Sequence, residues 1–229
     1  MPSLFLADLN LSEVASTRSF PDAVAAALRE GILTGRLPAG TQLKQDYLAR
    51  HFGTSRAPVR EALQVLTGEG LLVVNRHRGI AVAPTDPDDL QEIAELRTML
   101  EAHALRLSIP HLSRAELDEA AALLDEAEAA PGDPIGQSDL HWRFHRALIR
   151  RASRPRVLAQ IESLHVAVSR YLLPAWTAAG LSVGWVASHR KLLTLARRGR
   201  GEDAAELNAR QVEEARARVA AWLAEQETP

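Results

Sequence analysis

Apolar residues in the first third of the chain follow helical patterns and then change to strand patterns. Val24, Leu28 and Ile32 recur at every fourth position, which places them on one face of a helix. Two further helical patterns follow, and after them two β-branched runs flank a polar turn that contains glycine. The predicted helices are 20–33, 42–51 and 55–68, and the predicted strands of a hairpin are 72–74 and 80–82.

The rest of the chain shows helical patterns alone. A proline-rich stretch at 84–87 separates it from the first part and is typical of a domain boundary. No repeat of fixed period joins the rear helices, which favours a bundle. The predicted rear helices are 88–107, 113–129, 136–152, 155–179, 183–198 and 202–226.

These patterns predict a fold that is mainly α. An N-terminal winged helix-turn-helix is predicted at 20–83 and a C-terminal all-α helical bundle at 88–229. Residues 1–19 lack periodicity and are predicted to be a flexible arm, while residues 84–87 are predicted to be the linker.

Composition narrows the class of protein without changing this fold. The 229 residues include no cysteine, which excludes disulfides and thiolate metal sites. No apolar run is long enough to cross a bilayer and the first residues do not resemble a signal peptide, so we expect a cytoplasmic protein. The net charge is −2, but residues 1–83 carry nine Lys and Arg against seven Asp and Glu. This mildly basic front end favours a nucleic-acid partner there.

The start of the third predicted helix has the residue types that DNA recognition requires. The N-terminal end of such a helix meets base edges in the major groove, where an arginine can bind guanine or phosphate. Arg56 and Arg60 are four residues apart and share one helical face, although such a pair is often only a solvated surface. A cap at the helix start and a glycine at the hairpin tip complete the pattern. The predicted DNA-binding residues are Thr54, Ser55, Arg56, Pro58, Arg60, His77, Arg78 and Gly79.

These residues belong to a longer pattern that closely resembles the DNA-binding domain of GntR-family transcription regulators. The pattern covers 48–63, continues through Glu69-Gly70-Leu71 and ends at Arg78-Gly79. The resemblance implies a homodimer on a palindromic double-stranded DNA operator. It also implies that Arg56 and Arg60 contact the DNA and that the glycine of the wing lies at the minor groove.

One residue departs from the family pattern. Some members carry a DNA-contacting arginine in the second helix, and the matching residue here is Asp46. A carboxylate at this position would repel phosphate unless it pairs with a neighbour such as Lys44. The departure weakens the case for DNA contact from the second helix.

Three histidines of the rear domain have a spacing that suits a metal ion. His141 and His145 are four residues apart, so both imidazoles lie on one side of a predicted helix. His189, on another predicted helix, would complete a set of three. Imidazole suits zinc, nickel and similar divalent ions. The alternative is that these histidines are ordinary core or interface residues.

The rear domain resembles the FCD ligand-binding domain of the FadR subfamily, and its six predicted helices indicate the VanR-like branch. The motifs are Glu95-Leu96-Arg97, Phe144-His145 and the tail at 211–216. The resemblance implies a divalent metal held by one Asp and three His. The matching positions here are, in order, His141 in place of the Asp, His145, His189 and Gln211, of which the last is a poor ligand.

Family cavities of this kind generally accept a small carboxylate, which implies an organic-acid effector in this chain. Arg97 is the residue that we expect to bind it, because a guanidinium fork matches a carboxylate. The alternative for Arg97 is an ion pair with Glu101, one helical turn along. Trp142, Tyr171 and Trp176 are candidates for the pocket wall or for plain core.

The sequence therefore predicts a DNA-binding repressor controlled by an effector, and not an enzyme. One alternative is a metal-dependent enzyme joined to a DNA-binding domain, although no carboxylate or serine is placed beside the histidines as a base. The other alternative is a structural DNA-bridging dimer without a ligand, which the loss of the last histidine at Gln211 favours.

Overall fold

The structure is a computed structural model that describes residues 19–75, 79–179 and 184–227. The chain forms two compact units that divide after Asp86, within the predicted linker. Pro87, the last residue of that predicted linker, is the first residue of a helix. The predicted arm, except for Ser19, lies outside the described residues.

The first unit is a winged helix-turn-helix, which confirms the predicted fold class. Ser19 begins the first helix by accepting a hydrogen bond from the backbone N–H of Asp22 at 3.4 Å. Val24 and Leu28 are fully buried, as their spacing predicts, and they share the interior with Leu63 of the third helix. The elements are α1 (Phe20–Leu33), α2 (Gln45–His51), α3 (Arg56–Gly68), β1 (Leu72–Asn75) and β2 (Gly79–Val82).

The second helix begins three residues later than the pattern predicts because the backbone before it pairs with the hairpin. Gln42 forms an antiparallel bridge with Ala81, and the backbone N–H of Leu43 donates to the carbonyl of Ile80 at 2.8 Å. Backbone groups used in this pairing cannot enter a helical ladder. The segment therefore extends the wing and fixes the start of α2 beside it.

The hairpin is antiparallel, with Leu72 opposite Val82 and Asn75 opposite Gly79. Gly79 has φ +80°, a conformation that side chains disfavour, so glycine suits this position for a backbone reason. His77 and Arg78, which were predicted to contact DNA, lie outside the described residues.

The second unit is an all-α bundle, also as predicted. In its described part the six α-helices occur at nearly the predicted positions, and a short 3-10 turn at Ile109–His111 follows the first of them. One apolar cluster contains buried residues from all six of these helices, and another lies between the first, fourth and sixth. The helices are α4 (Pro87–Ser108), α5 (Arg114–Ala129), α6 (Pro134–Ile149), α7 (Pro155–Ala179), α8 (Trp185–Arg197) and α9 (Gly201–Glu227).

A buried glutamine ties together the helices that carry the histidines. The side-chain amide of Gln137, on α6, donates to the carbonyls of Ala127 at 2.6 Å and Ala130 at 2.9 Å, at the end of α5. Its oxygen accepts from the indole N–H of Trp185, the first residue of α8, at 2.7 Å. These contacts fix the start of α8 against α6. Among the described helices, none is both long and apolar enough to span a membrane.

Candidate metal centre and nucleic-acid interface

Three histidines converge in the interior of the helical unit. His141 and His145 lie one turn apart on α6, and His189 lies on the second turn of α8. The Nε2 atom of His145 is 3.2 Å from Nε2 of His141 and 2.9 Å from Nε2 of His189. The sequence predicted the pair on α6 and named His189 as the third member of the set, and the packing of α8 against α6 brings its ring beside them.

The surroundings keep these rings neutral. Burial lowers the pKa of His141 and of His145 well below the usual range, and the neighbouring imidazoles lower both pKa values further. Burial also lowers the pKa of His189 to about 4. Nδ1 of His189 lies 2.7 Å from the carbonyl of Trp185, so Nδ1 carries the proton and Nε2 keeps its lone pair. Neutral imidazoles are the form that binds metal ions.

The separations between the ring nitrogens fit a common ion. Two imidazole ligands of one tetrahedral zinc ion lie about 3.3 Å apart, given bonds of about 2.0–2.1 Å. The candidate ligand atoms of His141, His145 and His189 all lie within 4.8 Å of one another. Three neutral nitrogen donors suit zinc, cobalt or nickel better than magnesium or calcium, which prefer oxygen. The donor set therefore fits the metal that the sequence predicted.

The histidines open onto a cavity of about 460 Å³, a volume in the range of small-molecule sites. Residues of α4, α6, α7, α8 and α9 line it. Arg97, Trp176, Ser188, Asn208 and Gln211 are among the lining residues. Trp176 thus borders the cavity, whereas Tyr171 hydrogen-bonds to Asp89 and Trp142 stacks on His165.

Arg97 lines the cavity and also forms the ion pair that was its alternative assignment. Its Nε donates to Oε1 of Glu101 at 2.7 Å, and Oε2 of Glu101 accepts from the amide of Asn208 at 2.8 Å. All three side chains are buried. Neither terminal nitrogen of Arg97 bonds to a described residue, so both terminal NH2 groups of the guanidinium remain available as donors after the ion pair is made.

Two amide oxygens at the cavity are buried and lack a hydrogen-bond partner among the described residues: Oδ1 of Asn208 and Oε1 of Gln211. The orientation of both amides is fixed by their nitrogens. Glu101 can only accept from Asn208, and the carbonyl of Ser188 accepts from Nε2 of Gln211 at 3.0 Å. A buried acceptor without a partner lowers the stability of the fold. Such acceptors are typical of sites that a ligand or an ordered water molecule occupies.

His165 is a buried histidine that the sequence analysis missed. It lies on α7, where it stacks on Trp142 with ring centres 4.1 Å apart, and its ring centre is 6.3 Å from that of His141. Burial lowers its pKa well below the usual range. No spacing in the sequence links His165 to the other histidines, because the contact arises only when α6 and α7 pack.

The predicted DNA-reading residues of α3 lie on the surface of the first unit. Arg56 and Arg60 are exposed, and Pro58 occupies the first turn of the helix. Ser55 is the N-cap residue, but its side chain makes no capping hydrogen bond, and the backbone N–H of Thr54 donates to Ala49 at 2.8 Å. The hydroxyl of Ser55 is therefore not used by the helix, contrary to a capping role.

Asp46 pairs with an arginine and not with Lys44. Its carboxylate forms an ion pair with Nε of Arg56, the first residue of α3. Lys44 is the N-cap residue of α2 and has an extended backbone. The turn between α2 and α3 brings Asp46 beside Arg56, a contact that the spacing of ten residues did not reveal.

Comparison with known families agrees with this architecture. The profile of the FCD domain matches residues 92–221, and the profile of bacterial regulatory proteins of the gntR family matches residues 21–82. The first segment lies in the helical unit and contains the three histidines. The second segment lies in the winged helix-turn-helix unit.

Individual relatives and solved structures that resemble this chain include named transcriptional regulators. The uncharacterized HTH-type transcriptional regulator BphR of Paraburkholderia xenovorans (strain LB400) is 32% identical over 72% of this chain and 71% of its own length. The probable D-xylose utilization operon transcriptional repressor of Paenarthrobacter nicotinovorans is 31% identical over 71% of this chain and 74% of its own length. The solved structure of McbR/YncC of Escherichia coli matches with a TM-score of 0.77 and 25% sequence identity, covering 90% of this chain and 100% of its own. These similarities favour transcriptional control over an enzymatic role.

Proposed function

Because this chain belongs to the GntR family of bacterial transcription regulators and carries an FCD domain, we propose that it is a repressor whose DNA affinity changes when a small carboxylate binds in the helical domain. The observation that carries the proposal is that one chain has both an exposed arginine pair at the start of α3 and, in its helical unit, a cavity lined by three histidines and Arg97. A relative named as an operon repressor supports repression as the direction of control.

The DNA-binding surface of the proposal is the start of α3 together with the wing. Arg56 and Arg60 reach base edges or phosphates, while Ser55 and Thr54 offer hydroxyls, and Pro58 fixes the first turn between them. Gly79 lets the backbone of the wing approach the minor groove, with His77 and Arg78 beside it in sequence. The protein acts as a homodimer on a palindromic operator, because two such surfaces related by a two-fold axis match two half-sites.

The effector site of the proposal is the cavity. His141, His145 and His189 would hold a divalent ion of the zinc or nickel class, and Gln211, which matches the family's fourth ligand position in sequence, also lines the cavity. Such an ion would supply positive charge and open coordination positions. Arg97 binds the carboxylate through its two terminal nitrogens, while Glu101 holds the guanidinium in place.

The unpaired amide oxygens of Asn208 and Gln211 indicate which groups the effector carries besides its carboxylate. Asn208 and Gln211 can only accept hydrogen bonds through these oxygens, so a ligand that carries donor groups beside its carboxylate satisfies them. Control of DNA binding follows if the ligand binds one arrangement of the dimer better than another, because a ligand shifts an equilibrium only by its difference in affinity.

DNA selection tests the repressor assignment directly. Full-length protein is incubated with a library of random duplexes, and bound DNA is sequenced over several rounds. We expect an enriched inverted repeat whose affinity falls steeply with salt, since phosphate contacts release counterions. Arg60→Ala should weaken binding to the enriched duplex at least tenfold, in line with the loss of one base or phosphate contact. A library that remains random after selection would contradict the proposal.

A further inference from the structure

The ion pair between Asp46 and Arg56 lies at the surface that the proposed function assigns to DNA. Asp46 is in the first turn of α2 and Arg56 begins α3, so the pair joins the two helices of the helix-turn-helix. Both side chains are largely exposed, 59% for Asp46 and 72% for Arg56. The pair is therefore within reach of a duplex that docks on the start of α3.

Stability does not explain this pair. An exposed ion pair contributes little to folding because water screens the charges and both side chains lose freedom. A carboxylate on a DNA-binding surface also repels phosphate, and it cancels the attraction of one arginine for the backbone. Asp46 therefore costs affinity for DNA in general, which calls for a compensating effect on recognition.

The atoms of the ion pair between Asp46 and Arg56 suggest how recognition of a base could benefit. The contact joins Nε of Arg56 to the carboxylate, and the terminal nitrogens of Arg56 make no hydrogen bond to a described residue. These two nitrogens are the pair that an arginine presents end-on to O6 and N7 of guanine. A side chain held by its Nε also loses less freedom when it binds a base.

Other cations near Asp46 do not compete for the carboxylate. Nε of Arg50 donates to the backbone carbonyl of Asp46 at 3.2 Å. In the described part of the chain, Lys44 forms no ion pair with Asp46. Arg60, one turn further along α3, likewise has no acidic partner among the described residues, so the restraint acts on Arg56 and not on Arg60.

We propose that Asp46 is a positioning residue that holds Arg56 end-on for a guanine, so that this arginine selects a base in place of binding phosphate. The inference rests on the proposed DNA-binding function and adds a specificity determinant to it. It predicts that each half-site of the selected sequence contains a guanine that depends on both Arg56 and Asp46.

The test compares base preferences of three full-length proteins: wild type, Asp46→Asn and Glu30→Gln. Glu30 is a matched control, because it pairs with Arg36 in the same unit and its side chain is also 59% exposed. Each protein selects from the same random duplex library, and its affinity for an unselected duplex is measured by fluorescence anisotropy. Thermal unfolding of each protein checks that the fold is kept.

For Asp46→Asn we expect the preference for one guanine per half-site to fall about tenfold, the worth of one good bidentate contact. Binding to the unselected duplex should tighten about threefold, since one repulsive charge is removed. Glu30→Gln should keep the wild-type preference. Arg56→Ala should lose the same guanine, and adding Asp46→Asn to it should change the preference no further, because the two residues act as one unit.

Several outcomes would overturn the inference. An Asp46→Asn protein with the base preferences of the wild type would show that Asp46 does not position Arg56. An equal change in Glu30→Gln would assign the effect to net charge alone. Loss of all DNA binding with a lowered melting temperature would make Asp46 a structural residue. A wild-type protein that enriches no sequence would overturn both this inference and the proposed repressor function, whereas the first three results leave that function intact.

Discussion

Burial decides the chemistry of the individual residues in the helical unit. The three clustered histidines remain neutral near pH 7 because burial lowers their pKa values, so their nitrogen lone pairs are available for a metal. Among the described residues, His103 and His111 lie on the surface and not in such a cluster. The difference between a ligand and a surface residue is thus made by packing and not by residue type.

A single substitution separates these two classes of histidine. His145→Ala should abolish stoichiometric zinc in protein purified without chelators, because Nε2 of His145 lies 3.2 Å from Nε2 of His141 and 2.9 Å from Nε2 of His189. The control is His103→Ala, a change at an exposed position of α4. Elemental analysis per chain measures the outcome. Zinc retained by His145→Ala at the wild-type level would refute the ligand assignment.

Residue-scale prediction from the sequence succeeded where the relevant contact is local. His141 and His145 face the same side because helical geometry places residues i and i+4 together. The partners of Asp46, Asn208 and His165 were not predicted, since each contact joins residues of different helices. The ion pair of Arg97 and Glu101, again at i and i+4, was correctly foreseen as an alternative.

At the scale of elements, the start of α8 is set by side chains more than by helix propensity. Gln137, in the first turn of α6, binds the end of α5 and the first residue of α8 through three hydrogen bonds. The carbonyl of Trp185 then accepts from Nδ1 of His189 and fixes the direction of Nε2. One buried amide therefore determines how α8 presents its histidine, an indirect role that resembles outer-shell support of metal ligands.

Gln137→Ala tests that role. The change leaves the carbonyl of Ala127 and the indole N–H of Trp185 without partners in a buried place, so we expect a loss of about 2–4 kcal/mol in the free energy of unfolding. Zinc affinity should weaken about tenfold although no ligand is removed. The matched control is Gln91→Ala, whose amide donates to Glu95 in an exposed contact. Urea unfolding and zinc competition titrations measure both effects, and unchanged zinc affinity in a destabilised protein would deny the positioning role.

Apolar periodicity predicted most element positions because helices bury one face at fixed spacing. The start of α2 was placed three residues too early, since Gln42 pairs with the hairpin and this long-range pairing leaves no mark on helical periodicity. The limits of α6 also shifted, from 136–152 to Pro134–Ile149. The helix begins at Pro134, before the first apolar residue of the pattern, because proline is favoured in the first turn of a helix. After the helix ends at Ile149, Ser153 has φ +53°, which is not a helical conformation.

At the scale of the whole molecule, the chain has two compact units with different proposed activities. The winged helix-turn-helix provides the surface for DNA, and the helical unit provides a cavity with a donor set for metal and anion. A regulator requires free-energy coupling between the two, which is reciprocal: a ligand that weakens operator binding must itself bind less tightly in the presence of operator.

The most direct test of this central claim is an anisotropy titration of the selected duplex with full-length, zinc-loaded protein. The titration is repeated in the presence of each member of a panel of pyruvate, lactate, gluconate, glutarate and citrate, and again with His145→Ala. The account predicts that at least one acid changes the affinity of the wild type for its selected duplex about fivefold or more, the lower range of allosteric coupling. The same acid should leave the affinity of His145→Ala unchanged. Equal effects on both proteins, or no effect of any acid on the wild type, would contradict control through this cavity.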